Sequence, residues 1–523
     1  MTTSSPRTDL NSSAHDQAST SFEQAKSNAR GPQILQIVAK PKRAAARGKP
    51  EPKLTRVAFR VSRLMEFCGE RELQNQTGHS VWQWPLVIAK ELVDNALDAA
   101  EEAEVAPEIT VIVEPDTIVV QDNAGGIDAK TVESILDYSI RVSSREAYCS
   151  PTRGAQGNAL KTLLAMGYVL GLKSGGDGDA AGVTIIESRG VKHQIEFRVD
   201  HVDNQPKIIH NRTPSPVEVG TRIRVHWPDE RILRYAERSF KELVAGYAWF
   251  NPHLSLKGVW LGHEFIDVKA TNPDWEKWRP RNPTSAHWYD EARLQRYLAA
   301  HVARDRDLGQ RRTVREFIAD FRGLSGTALQ RKILNEVGCS HLSLASFFGA
   351  DSVNRAGVGK LLAAIKQYSK PVAPRHLGVI GVKHLKERFL AADGNIDTFK
   401  YQCRKGMTED GIPYVVEFAF GLHQAGLAPG GGERRLVSIG DGVVALAGGR
   451  LFVAGANWSA AITNPFRSFG STGEGLESTL AKVRANADQP IICALHLAAA
   501  RIQFADRGKS SIILTEDAEQ PDD

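Results

Sequence analysis

The sequence predicts an α+β protein with three folded regions, and three observations carry that prediction. β-rich runs alternate with amphipathic helical segments through the first half, a helical and strongly charged stretch fills the middle, and strand signals return after Pro371. At 523 residues the chain has room for two to four domains, and 42% hydrophobic with 24% charged residues suits a globular protein with a sizeable core.

Taken in chain order, residues 1–50 are rich in Ser, Ala, Gln and Lys and poor in large apolar side chains. Such a segment buries too little surface to offset its ordering entropy, so a disordered basic tail is expected. Its end, KPKRAAARGKPEPKLTR from Lys40 to Arg56, suits salt-dependent contact with phosphate backbones and suits a solvated tail equally well. From about residue 55 the pattern turns helical, and Pro85-Leu86-Val87-Ile88-Ala89 opens a segment with Leu92, Ala96, Leu97 and Ala100 at helical spacing. ITVIV at Ile109, TIVVQD at Thr117, GVTIIES at Gly182 and TRIRVHW at Thr221 read as strands. Residues 51–280 are therefore expected to form an α/β sandwich. Residues 281–370 read as helical, with RYLAAHVARDRD and TVREFIADF as amphipathic pieces. Residues 371–515 read as a second α/β region carrying PYVVEFAFG, RRLVSIG, GRLFVAG and PIICALHLAAA, and 516–523 as an acidic tail.

Composition narrows function only a little. A formal net charge of +5 permits a polyanionic partner without requiring one. Cys68, Cys149, Cys339, Cys403 and Cys493 form no C-x-x-C pair, which argues against a zinc site or a disulfide framework and for a reducing, cytoplasmic setting. No apolar stretch reaches the roughly 18 residues of a membrane span, so no membrane partner is expected.

Four patches carry chemistry. In ELVDNALDAA, Glu91, Asn95 and Asp98 fall at i, i+4 and i+7, which lines a carboxylate, an amide and a second carboxylate along one helix stripe. Asn is a poor helix former, and between acids it suits a metal ligand that leaves room for phosphate oxygens; an exposed acidic helix face would look the same in isolation. VVQDNAGGI ends a strand on Asp122 and turns through Gly125 and Gly126, where the backbone can approach a flat ligand; alone it is a tight glycine turn. TRGAQGNALKTLLAMG puts Gly154 and Gly157 before a helix starting near Ala159, an arrangement whose backbone amides cradle phosphate. FADRGKSSIIL sets Lys509 in a loop before an apolar strand, which alone is also how a surface lysine sits.

In this order and spacing the patches resemble the Bergerat ATP fold of the GHKL superfamily, which includes gyrase, Hsp90, histidine kinases and MutL. The runs ELVDNALDAAEEAEVAPEITVIVE, IVVQDNAGGI and SPTRGAQGNALKTLLAMG, with GTRIRVHWP, WFNPHLSL, TVREFIADFRGLSGTALQRKI, PRHLGVIGVKHLKERF and FADRGKSSI, resemble the B subunits of DNA topoisomerase VI more than the others. The resemblance covers most of residues 55–515. It implies a GHKL ATPase domain, a helical insert of helix-two-turn-helix type, and a C-terminal transducer like ribosomal S5 domain 2.

The resemblance also assigns roles. Glu91 would be the general base toward the attacking water and Asn95 the ligand of Mg²⁺, while Asp122 would accept the adenine amino group. Gly126 would keep the base pocket open, Gly154, Gln156, Gly157 and Asn158 would form the lid over the phosphates, and Thr221 would border the adenine. Asp98 and Lys161 fall among the nucleotide-binding residues, and Lys509 would reach the γ-phosphate of ATP. The family's ATP-dependent homodimer closes around duplex DNA, so a nucleoid-associated clamp is implied. No tyrosine-bearing cleavage domain or Toprim pattern is present in the sequence, so a separate A-like polypeptide would have to supply the nucleophile. Arg311, Arg312, Arg315, Arg322 and Arg331 of the helical region are candidates for phosphate contact, or a solvated face.

The sequence departs from the family at Ala124 and Ala159, where glycine is usual, and it runs from Ile513 into TEDAEQPDD where a stalk helix is expected. That departure keeps open a stand-alone ATP-gated clamp serving DNA defence, repair or chromosome handling. A sensor kinase lacks its phospho-acceptor helix before Glu91, and a chaperone of the Hsp90 type lacks its charged linker.

Overall fold

The computed structural model describes residues 69–136, 148–153, 159–173, 182–200, 205–279, 281–349, 352–424, 436–439, 442–445, 450–467, 475–483, 489–505 and 508–513. The two expected tails, the Lys40–Arg56 cluster and the helical pattern from residue 55 to 68 lie outside them.

The first helix, α1 (Glu70–Thr77), stops at Gly78, whose φ of 70° closes the last turn in the left-handed conformation. Helix α2 (Trp84–Glu102) starts with Pro85 in its first turn, where the missing N–H costs no hydrogen bond. It buries Leu86, Ile88, Leu92, Val93, Ala96, Leu97 and Ala100 and leaves Asn95 exposed. The strands β1 (Glu108–Glu114) and β2 (Thr117–Gln121) pair antiparallel, with Val111 opposite Val120. Helices α3 (Ala129–Ile135) and α4 (Ala159–Lys173) precede β3 (Gly182–Ser188), β4 (Val191–Asp200), β5 (Gln205–Pro214) and β6 (Thr221–His226). Helix α5 (Glu230–Phe250) is capped by Asp229, whose carboxylate accepts the N–H groups of Arg231 and Ile232, and leads to β7 (Ser255–Trp260) and β8 (His263–Val268).

These eight strands form one sheet in the order β5-β4-β3-β6-β2-β1-β7-β8, antiparallel throughout except where β1 runs parallel to β7. Leu97 of α2, Leu164 of α4 and Phe240 of α5 share a buried cluster with Val111 and Phe197 of the sheet, which makes a helix layer on a sheet layer.

Helices α6 (Glu291–Asp307), α7 (Val314–Ala319), α8 (Thr327–Val337), α9 (Leu344–Phe348) and α10 (Arg355–Gln367) gather around a separate core of Leu298, Phe317, Phe321, Ile333 and Leu361. Thr313 and Glu316 form a reciprocal capping box at the start of α7. Beyond it come α11 (Val382–Ala391), β9 (Lys400–Met407), β10 (Pro413–Leu422), β11 (Leu436–Ile439), β12 (Gly442–Ala445), β13 (Leu451–Ala456), β14 (Ser459–Ala460), α12 (Leu476–Lys482) and β15 (Ile491–Ala499). A five-stranded sheet runs β14-β13-β15-β10-β9, while β11 and β12 pair with each other.

Helix α5 serves both sheets. Phe240 lies in the first core, whereas Trp249 and Phe250 join Leu385, Phe389 and Trp458 in the core of the second. The close approach requires Gly455, because a Cβ there would lie 2.5 Å from the Phe250 ring. The α+β class and the sandwich expected of the first half are thus observed. No helix among the described residues is long and apolar enough to cross a membrane.

Candidate functional site

Asp122 directly follows the end of β2 at a buried position, and its placement is fixed by backbone. Its Oδ1 accepts the N–H of Ala124 at 2.8 Å and of Thr221 at 3.1 Å, and its own N–H donates to the Thr221 carbonyl at 2.9 Å. One carboxylate oxygen is thereby committed, and Oδ2 has no hydrogen-bond partner among the described residues. Burial raises the Asp122 pKa, and the two backbone donors oppose it. Beside it, Ser188 Oγ accepts the N–H of Ile127 at 2.9 Å and donates to the Gly220 carbonyl at 2.8 Å. Gly126 and Gly220 both have positive φ, at 76° and 77°. A Cβ on Gly126 would lie 2.6 Å from Ser188 Oγ, and one on Gly220 would lie 2.0 Å from the Asp122 carbonyl. Ala124 is buried and not among the residues with positive φ, so alanine replaces glycine there without backbone strain.

On α2 the expected stripe divides. Glu91 is half-buried, and burial raises its pKa while Lys509 pulls it down. Asn95 is exposed and its amide has no hydrogen-bond partner among the described residues. Asp98 is engaged with protein, since its Oδ1 accepts from Arg153 Nη1 at 2.6 Å. Lys161 is buried in α4. Gly154, Gln156, Gly157 and Asn158 lie outside the described residues, and Ala159 opens α4.

Lys509 arrives from the far end of the chain. Its Nζ donates to the Arg153 carbonyl at 2.7 Å, and its backbone takes φ 56°, rare for a residue with a side chain. Burial lowers its pKa, Lys90 adds to that, and Glu91 opposes it. A carboxylate of α2 and an ammonium of the last loop thus share one electrostatic environment. Gly508 packs on the end of α1, where a Cβ would lie 3.0 Å from the Gly78 carbonyl.

Sequence reading missed the charged node behind this site. Arg153 is buried; it bonds Asp98, both oxygens of Glu101 at 2.9 and 2.7 Å, and Asn251 Oδ1 at 2.6 Å. Glu101 also holds Lys277 at 2.6 Å and His253 Nε2 at 3.1 Å. Burial alone would raise the Glu101 pKa, but Arg153, Lys277 and the hydrogen bond from His253 hold it well below the usual carboxylate range. A second buried set joins Lys90, Asp94, Tyr247 and Ser459, with Tyr247 donating to Asp94 at 2.8 Å. Lys90, Arg153, Asn457, Ser459, Phe504 and Lys509 border a small, partly open cleft on the second-sheet side of α2.

In the helical region Arg311, Arg315, Arg322 and Arg331 are exposed. Arg312 differs: it is half-buried and bonds His301 and Asp320, so packing accounts for it. Arg322 stacks over the Trp278 ring at 5.3 Å.

Comparison with known proteins agrees with the resemblance. A 206-residue stretch is 31% identical to the B subunit of Type 2 DNA topoisomerase 6 from Natronomonas pharaonis, covering 37% of this chain and 24% of that protein. The protein of the same name from Methanosarcina barkeri is 24% identical over 362 residues, covering 66% of this chain and 52% of that protein. The chain therefore spans about half the length of these relatives, or less. No family model matches. Among solved structures, the Aquifex aeolicus MutL ATPase domain complexed with ADP aligns at 12% identity over 78% of this chain and 90% of that one, with a TM-score of 0.29, too slight a likeness to carry an argument. The chain is similar to topoisomerase VI B subunits, as its motifs indicate.

Proposed function

We propose that the chain binds and hydrolyses ATP as the ATPase subunit of a topoisomerase-like complex. One observation carries the reading: the Lys509 ammonium, brought from the far end of the sequence to donate to the Arg153 carbonyl at 2.7 Å, lies within electrostatic reach of Glu91 on α2, which stands one helical turn from the exposed, unbonded amide of Asn95. In this reading the open Oδ2 of Asp122 accepts the adenine amino group, in a cradle that a side chain at Gly126 or Gly220 would fill. Among the described residues no group of three His, Cys, Asp or Glu side chains is placed to hold a metal. Asn95, exposed and unbonded, suits Mg²⁺, which takes few protein ligands and completes its shell with phosphate oxygens and water. When bound, the ion neutralises charge developing on the phosphates.

The raised pKa of Glu91 suits a general base, because a carboxylate of higher proton affinity accepts a proton from water more readily. Lys509 supplies the opposite charge. At about 4 Å and an effective dielectric near 20, an ammonium attracts one phosphate charge by about 4 kcal/mol, most of which is offset by desolvating the two groups, leaving a smaller net preference for ATP over ADP. The helical region is read as the helix-two-turn-helix insert and the second sheet as the transducer, with Arg311, Arg315 and Arg331 toward duplex DNA. An ATP-dependent homodimer and a separate A-like cleavage polypeptide complete the proposal, which the similarity to topoisomerase VI B subunits supports.

Glu91→Ala tests the reading. Turnover should fall about 10²- to 10⁴-fold, the usual contribution of a general base, with nucleotide affinity retained within about threefold. Undiminished turnover, or no binding of adenine nucleotide by the unaltered chain at millimolar Mg²⁺, would refute it.

A further inference from the structure

Two contacts from the second-sheet region meet on one residue of the first. Lys509 Nζ donates to the Arg153 carbonyl at 2.7 Å, and Arg153 Nε donates to the Trp458 carbonyl at 3.4 Å. Arg153 stands immediately before the glycine loop, and its guanidinium is fully enclosed. Asp98 and Glu101 of α2 hold it from one side and Asn251, just beyond α5, from another. Every direction of the planar fork is occupied, which fixes the residue's main chain as well as its side chain.

The Trp458 side of the joint is strained. Asn457 and Trp458 form the two-residue turn between β13 and β14 with φ of 49° and 62°, a conformation that favours Asn-Gly. A fully buried tryptophan holds it only because the surroundings do. Its N–H donates to His496 Nε2 at 2.9 Å, its carbonyl accepts from Asn251 at 2.9 Å, and the Lys277 ammonium lies 4.6 Å from its ring centre. Burial lowers the His496 pKa to about 3, which keeps that ring neutral and able to accept. Strain retained at such a place marks a position that the fold over-determines.

We propose that Arg153 is the positioning residue for the Lys509 ammonium: its clamped guanidinium fixes the carbonyl that sets where the lysine stands, so nucleotide discrimination by Lys509 depends on the buried Asp98–Glu101–Asn251 clamp. This deepens the ATP-sensing role proposed for Lys509 and rests on it.

Arg153→Lys keeps the charge but loses the fork. The dissociation constants of a β,γ-imido ATP analogue and of ADP, each in the presence of Mg²⁺, are measured for the unaltered chain, for Arg153→Lys, for Lys509→Ala and for the double variant. Lys509→Ala should lower the preference for the triphosphate about tenfold, and Arg153→Lys should do the same with ADP affinity unchanged. The double variant should lose no more than Lys509→Ala alone, because the two act through one contact. Asn251→Ser, which removes one anchor and leaves both ion pairs, should give about a threefold loss that Lys509→Ala again masks; it carries the test if Arg153→Lys fails to fold. A preference retained by Arg153→Lys and Asn251→Ser while Lys509→Ala loses it overturns the positioning role alone, as do multiplicative losses in the doubles. A preference unaffected by Lys509→Ala overturns the sensing role itself.

Discussion

Glu101→Gln removes one charge from the node without changing its shape, and the outcome can be worked from the surroundings. The side chains of Glu101, Arg153 and Lys277 are 4%, 0% and 2% exposed. With Asp98, the set holds two carboxylates and two cations and is neutral as a whole. Burial lowers the pKa of His253, which leaves that ring uncharged and donating to Glu101. Glutamine at 101 leaves one positive charge uncompensated and turns an N–H₂ group toward a cation. Breaking a buried pair by removing one partner costs about 3–5 kcal/mol, against about 0–1 kcal/mol for an exposed pair. The loss should appear as a lower urea midpoint followed by tryptophan fluorescence, and added salt should change it little because the pair is out of reach of the ion atmosphere.

A second substitution sharpens the test. Glu101→Gln with Lys277→Met restores neutrality, so the double variant should be more stable than Glu101→Gln alone, although it has lost more contacts. Protonation gives a further sign. Burial already lowers the Lys277 pKa, and loss of Glu101 lowers it further. Between that depressed value and the ordinary lysine value the unfolded chain binds the extra proton, so stability of Glu101→Gln should rise with pH across that window. A loss below about 1 kcal/mol, or a double variant no better than the single, would refute the charge balance.

Three other outcomes follow from the site. Turnover should show a bell-shaped pH profile with both limbs drawn inward, since Glu91 must be deprotonated and its pKa is raised, while Lys509 must be protonated and its pKa is lowered; limbs at the ordinary Glu and Lys values would contradict it. Asp122→Asn keeps the fold but puts a donor or a weaker acceptor where adenine is expected, so affinity for ATP over GTP should drop about tenfold or more, measured by competition; an unchanged ratio would remove Asp122 from base selection. Arg315→Gln with Arg331→Gln should weaken duplex DNA binding and reduce its salt dependence by about two counterions, whereas Arg312→Gln should act chiefly on stability through His301 and Asp320; the reverse order in fluorescence anisotropy would count against the assignment.

What is legible in the sequence follows from which forces are local. The strands at 109, 117, 182 and 221 are readable because buried strands alternate or run apolar, and they form β1, β2, β3 and β6. β9, KYQCRKGM, is not: it is a sheet edge with exposed Lys400, Arg404 and Lys405, so no apolar period marks it. β4, VKHQIEFRVD, is likewise obscured by charged residues on its outer face. Glu91, Asn95, Asp122 and Lys509 stand out because their spacing or their glycine turns are written within a few residues. The Arg153 node joins residues from five segments, and nothing local announces that Arg153 in TRG meets Asn251 in FNPH. Its one local trace is Glu101, a helical turn beyond Asp98.

That trace explains why the stripe on α2 reads as one function in the sequence and divides into two in the fold. At about 100° per residue, Asn95 and Asp98 lie within about 40° of Glu91, whereas Lys90, Asp94 and Glu101 lie about 60° to 100° around to one side. The outer stripe is spent on protein: Lys90 and Asp94 meet Ser459 at β14, and Glu101 meets Arg153 and Lys277. The inner stripe carries half-buried Glu91 and exposed Asn95, the two residues proposed above to face nucleotide. Asp98 sits between them and bonds Arg153, so it couples the two. If α2 binds nucleotide along one stripe as proposed, it cannot shift there without disturbing its contacts to the second sheet along the next. Loss of Asp98 should therefore weaken nucleotide discrimination more than nucleotide affinity, and Asp98→Asn measured with the triphosphate analogue and with ADP decides it: equal weakening of both would make Asp98 a direct ligand rather than the hinge between the two stripes.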